Sequence, residues 1–158
     1  MAGIAQTQFG EEKKKKVSAG MTQREDVLAR LRERSRLGLP GHMQVEPMQV
    51  DEGFIVLRLT IQPFHLAPNG YLHAATVVAL ADTACGFGCI SNLPSEAINF
   101  TTVELKTNFL RTATDGTIVC EAALIHGGRR TQIWDATVYD EQRRAMALFR
   151  CTQMLLYA

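Results

Sequence analysis

The stretch Gly70–Gly88, GYLHAATVVALADTACGFG, decides the fold. From residue 72 to residue 90 it is apolar on nearly every face, which is the pattern of a helix buried all round rather than laid on a surface. It is short for a membrane span, and polar groups interrupt it. Near its middle stands one carboxylate, Asp82, among Leu80, Ala81, Ala84 and Cys85. A lone charge in such surroundings is costly unless paired or protonated, and Asp is a mediocre helix former. Two readings account for it: a carboxylate that caps a break or pairs with a buried arginine, or a catalytic carboxylate. His73 opens the same helix, so a straight helix holds the two Cα atoms about 13–14 Å apart. That is too far for a direct pair. A site using both ends needs residues from elsewhere, another subunit included.

Outward from the helix on its N-terminal side, residues 62–70 form a loop with Pro63, Pro68 and Asn69-Gly70, and it carries His65 as a loop residue within reach of a pocket. Residues 54–61 alternate, with Ile55, Leu57, Leu59 and Ile61 on one face and Arg58 and Thr60 on the other, and predict a strand. Asp51-Glu52-Gly53 turns the chain out of an earlier strand over residues 42–50, which Pro47 weakens. Thr22 and Glu25 make the T-x-x-E box that caps a helix over residues 22–36, with an apolar stripe of Val27, Leu28, Leu31 and Leu37. Gly38, Pro40 and Gly41 end it. Residues 1–20 are polar, with the run Glu11-Glu12-Lys13-Lys14-Lys15-Lys16, and are expected to be a disordered arm or a cloning remnant. The lysine run reads as solvated rather than as a nucleic-acid or membrane contact.

On the C-terminal side strands follow at regular spacing. Residues 101–109 place Val103, Leu105, Thr107 and Phe109 on one face; residues 117–125, 132–139 and 143–156 continue. Asp115-Gly116, His126-Gly127-Gly128 and residues 140–144 turn between them. This spacing predicts an antiparallel meander. The whole pattern is an α+β domain over residues 21–158: five to six antiparallel strands wrapped around one central helix, with an extra N-terminal helix. Its edge strands need covering, which predicts an isologous homo-oligomer, a dimer or a dimer of dimers.

The balance of residues narrows the function. A chain of 158 residues with 46% hydrophobic and 21% charged residues is one ordinary globular domain. A formal net charge of +1 offers no general attraction to nucleic acid. Cys85, Cys89, Cys120 and Cys151 form no CxxC pair and read as small core residues. No apolar leader precedes them, so a reducing cytoplasm without disulfides is expected. No phosphate-binding glycine loop and no zinc-ligand spacing is present, and no metal or cofactor is expected.

Asn69-Gly70-Tyr71-Leu72-His73-Ala74-Ala75 followed by Ala79-Leu80-Ala81-Asp82-Thr83-Ala84 resembles the signature of hotdog-fold acyl-CoA thioesterases, in particular the group that includes the phenylacetic-acid-pathway thioesterase. Thr102-Val103-Glu104-Leu105, Asn108-Phe109-Leu110-Arg111, and Gly128-Arg129 with Ile133-Trp134-Asp135 continue the likeness, over about residues 41–157. The resemblance implies the same helix-in-a-sheet, and hydrolysis of an acyl-CoA thioester to free acid and CoA at a site shared across a dimer. Asp82 would be general base or nucleophile. The N–H of Ala74 would polarise the thioester carbonyl from a helix N-terminus. Thr102 or Thr101, from the same subunit as Asp82, would help hold the water. Arg129, Arg130 and Arg111 are candidates for the CoA phosphates, and His73 is read as a cap for the loop.

Two departures stand out. The family's His-Gly-Gly is here His73-Ala74-Ala75, and the amide the family carries six residues before the histidine is here Ala67. Asn69 either replaces that amide in the reaction or simply shapes the turn with Gly70. The departures keep a second reading open, a non-catalytic hotdog protein that binds an acyl-CoA or aromatic ligand. A dehydratase is disfavoured, because Asp82 has no histidine beside it on the helix.

Overall fold

The computed structural model describes residues 20–158. Helix α1 covers residues 20–34 and a short helix α2 covers Gly38–His42. Strands β1 (Glu46–Asp51) and β2 (Phe54–Thr60) precede helix α3 (Ala74–Ser91), and β3 (Ala97–Phe109), β4 (Thr117–Gly127), β5 (Thr131–Tyr139) and β6 (Ala145–Tyr157) follow it. The arm expected over residues 1–20 lies outside the described residues, except for Gly20, which is helical. Thr22, expected to cap α1, lies inside it.

The six strands form one antiparallel sheet in the order β1-β2-β4-β5-β6-β3. The predicted meander therefore holds for β4-β5-β6 but not for β3, which crosses to the far edge and pairs with β6. The cause is the connection. A tight turn joins only neighbouring antiparallel strands, whereas β2 and β3 are linked through α3, which packs against β2, β3, β4, β5 and β6. The first strand also differs from expectation: His42 ends α2, and β1 starts only at Glu46. Pro47 is accommodated because β1 is an edge strand with a register shift between Pro47 and Gln49. At the other hairpin, β4 runs on through His126 and Gly127, and the turn occupies residues 128–130.

Alternation along β2, β4, β5 and β6 turns Leu57, Ile118, Trp134 and Phe149 inward, onto Val77, Leu80, Ala81, Ala84, Cys85 and Cys89 of α3. All four cysteines are buried free thiols. By length and composition α3 is apolar enough to cross a bilayer, with a mean hydropathy of 1.5 over 18 residues. Half of it is buried instead within the fold.

His65 lies in the connection between β2 and α3 as expected, at the end of a 3-10 turn over Pro63–His65, but it is fully buried rather than free to reach a pocket. Its Nδ1 accepts the Gln62 N–H at 3.0 Å and its Nε2 donates to the Met43 carbonyl at 3.1 Å. Its own carbonyl accepts the His73 N–H and the Thr76 hydroxyl. Burial lowers the imidazole pKa and keeps the ring neutral, as that accepting nitrogen requires. His65 thus ties the start of α3 to the segment after α2.

Candidate active site

Asp82 sits half-buried in the middle of α3, on the wall of a cavity of about 270 Å³ that Phe87, Phe100 and Arg34 also line. Burial raises its pKa, and a hydrogen bond from Thr102 pulls it partly back. That bond spans 3.3 Å, from the Thr102 hydroxyl to Asp82 Oδ1. The same hydroxyl lies 3.0 Å from Oε1 of Gln153, which is fully buried on β6.

The register of β3 separates the two candidate threonines. Thr102 lies opposite the buried Gln153, and Thr101 opposite the exposed Met154. A register shift between Thr102 and Glu104 leaves Val103 unpaired. The alternation that assigned Val103 and Leu105 to one face is therefore interrupted at Val103, while Leu105 stays paired with Cys151; both side chains are exposed. Gln153 and Arg34 were not read as site residues from the sequence. The signal for Gln153 was present: a polar side chain between Cys151 and Leu155 at an inward position of an alternating strand.

At the other end of the helix, His73 is the N-cap of α3, its Nδ1 accepting the Ala75 N–H at 3.0 Å. The His73 carbonyl accepts the Thr76 N–H. The N–H of Ala74, first residue of the helix, has no carbonyl a turn earlier to meet it. It points from an exposed residue at the positive end of the helix dipole, a position suited to a developing oxyanion. Eight helical residues separate Ala74 from Asp82, about 12 Å. Within the chain the two therefore stand apart along the helix.

Asn69 is engaged locally. Its Oδ1 accepts the Tyr71 N–H at 3.2 Å, and Gly70 beside it has φ +83°. A carboxylate accepts the same N–H. Asn69→Asp is therefore expected to keep the turn and to change turnover by only a few fold in a thiol-release assay. A loss of about 10²-fold, the size associated with one preorganised donor, would put Asn69 in the reaction.

The three arginines are dispersed. Arg129 and Arg130 stand at the β4–β5 turn, their carbonyls bonded to the Tyr157 hydroxyl and the Leu155 N–H. Arg111 follows β3, and its guanidinium donates to the Ala145 carbonyl at 2.9 Å. Those anchors lie at opposite ends of β6, about 33–40 Å apart along an extended strand. Within one protomer Arg111 falls on the Ala74 side, since the Leu72 N–H bonds to the Ala113 carbonyl. Arg129 and Arg130 fall at the far end of α3, where the Gln132 side chain donates to the Asn92 carbonyl.

The pattern of the thioesterase superfamily matches residues 69–147, a stretch that includes both Ala74 and Asp82. The chain is 30% identical over 116 residues to the 1,4-dihydroxy-2-naphthoyl-CoA hydrolase of Listeria monocytogenes, covering 73% of this chain and 94% of that protein. It is 29% identical over 107 residues to the acyl-coenzyme A thioesterase PaaI of Escherichia coli, covering 67% and 74%. Among solved structures, a thioesterase of Pseudomonas aeruginosa shares the fold with a TM-score of 0.79 at 20% identity, over 83% of this chain and 94% of that one.

Proposed function

The chain belongs to the thioesterase superfamily, with a hotdog fold, and from that premise we propose that it hydrolyses an acyl-CoA thioester with Asp82 as the base. The observation that carries this reading is the single carboxylate of an otherwise apolar helix, raised in pKa by burial and bonded to Thr102 at a cavity wall. A carboxylate of raised basicity is suited to take a proton near neutral pH. Asp82 takes one proton from water, and the hydroxide adds to the thioester carbon. The carbonyl electrons move to oxygen, where the Ala74 N–H holds the negative charge. Collapse of the adduct breaks the carbon–sulfur bond, and the proton on Asp82 passes to the departing CoA thiolate. Arg111, Arg129 and Arg130 are the candidates for the CoA phosphates, and their separation within one chain suits contacts drawn from two copies. The cytoplasm, where the four cysteines stay as thiols, is the expected compartment.

The roughly 12 Å between Ala74 and Asp82 supports a site in which the two come from different copies. A second protomer must supply the Ala74 N–H facing a given Asp82. Strand β3 is a free edge of the sheet, with Ile98, Val103 and Leu105 exposed along it. Such an edge is relieved by pairing across a two-fold. Light scattering at micromolar concentration is expected to give a dimer or a multiple of it. A monodisperse, active monomer would overturn the shared site.

The direct test is thiol release from a panel of acyl-CoAs of graded length and aromaticity. Turnover of at least one thioester is expected. Saturable binding across the panel without release would instead assign the protein as a non-catalytic acyl-CoA binder.

A further inference from the structure

Gln153 has no assigned role, yet its surroundings are unusually constrained. It lies on the inward face of β6, fully buried, and a buried amide needs partners. Its Nε2 donates to Cys151 Sγ at 3.3 Å, and sulfur is a weak acceptor. Among the described residues its one strong side-chain contact is the Thr102 hydroxyl, 3.0 Å from Oε1. Thr102 also reaches Asp82 Oδ1 at 3.3 Å, and a hydroxyl has a single proton to give.

Resting on the assignment of Asp82 as the base, we propose that Gln153 is a positioning residue that competes with Asp82 for the Thr102 proton and thereby strengthens Asp82 as a base. When Asp82 is ionised, the hydroxyl turns to the carboxylate and Gln153 Oε1 is stranded in the core. When Asp82 is protonated, its own O–H donates to Thr102 Oγ1, the Thr102 proton turns to Gln153, and every group is paired. The amide therefore favours the protonated carboxyl. The other titratable or charged groups near Asp82 make no hydrogen bond to the Thr102 hydroxyl among the described residues, although Cys85 feels the Asp82 charge. Cys85 on α3 is held as a neutral thiol by its contact with Cys151 on β6 and by burial, and Cys120 on β4 by burial. Arg34 of α1 lines the same cavity, and Asn99 of β3 does not titrate.

The test is a ¹³C-carboxyl NMR titration of the full chain, with the Asp82 signal assigned by its loss in Asp82→Asn. Gln153→Met, similar in volume and without the carbonyl, is expected to lower the Asp82 midpoint by about half to one pH unit, the size of one hydrogen bond. Gln153→Asn, which withdraws the amide by one methylene, is expected to move it the same way and covers the case of a poorly folded methionine variant. In a Thr102→Val background the Gln153 substitution is expected to have no further effect, which separates relay through the hydroxyl from a general loosening of the core. The acid limb of kcat/KM should move down in parallel, with KM nearly unchanged. An unchanged or raised midpoint overturns the proposal. Absence of thiol release in the wild type would instead overturn the hydrolase reading, and the NMR midpoints would still decide the role of Gln153.

Discussion

Asp82→Asn is expected to fold as the wild type does and to lose about 10²- to 10⁴-fold in turnover, the range a positioned general base contributes. Asparagine keeps the shape and offers Thr102 the same accepting oxygen, but it cannot take a proton. Stability separates loss of chemistry from loss of fold. Burial raises the folded-state pKa of Asp82 above the ordinary 3.8. The folded state then holds the proton more tightly than the unfolded state, so stability falls as pH rises from the unfolded to the raised folded value. Above that window the ionised Asp82 costs stability, and asparagine carries no such cost. The thermal midpoint of Asp82→Asn at pH 7 should equal or exceed that of the wild type while thiol release collapses. A folded variant with a near-wild-type rate would remove Asp82 from the reaction. The wild-type acid limb should lie above the usual carboxylate range for the same reason.

Gly88→Ala is expected to destabilise the protein by about 1–3 kcal/mol, although alanine is the better helix former by about 1 kcal/mol. The reason is the close approach of α3 to β5. A Cβ on Gly88 would sit 2.7 Å from two carbons of the Trp134 ring. The indole cannot step aside cheaply: it is fully buried, and its Nε1–H donates to Gln132 Oε1 at 2.8 Å. Gln132 in turn donates to the Asn92 carbonyl at 2.8 Å, so a buried chain of hydrogen bonds pins the ring at the end of α3. The thermal midpoint should fall by about 3–10 °C for a chain of this size. Gly86→Ala is the control. Its Cβ would meet only the far end of Phe100, at 3.1 Å, and that ring borders the open cavity and has room to turn. Equal midpoints for the two variants would refute the packing argument.

Local spacing was enough for whatever depends on one segment. The apolar run around Leu80 and Ala84 predicts a buried helix, and alternation in residues 54–61 predicts a strand with Ile55, Leu57 and Leu59 inward, all three of which are fully buried. Glycines at the β1–β2 turn and before β4 mark positive φ, found at Gly53 and Gly116. Asp82 was legible as an anomaly because charge in an apolar helix is costly wherever that helix packs.

Tertiary structure alone decided the rest, because pairing between distant segments leaves no mark in a local window. The edge that β3 joins depends on how α3 crosses the sheet. Whether Thr101 or Thr102 faces inward depends on a register, and a one-residue slip reverses every face. Gln153 finds its partner 51 residues away, and His65 finds one 22 residues away. Arg111 and Arg129, grouped in the sequence reading as phosphate candidates, are parted by the length of β6. Residue types and their period determine which side of an element is buried; only the assembled sheet and helix determine which buried groups meet.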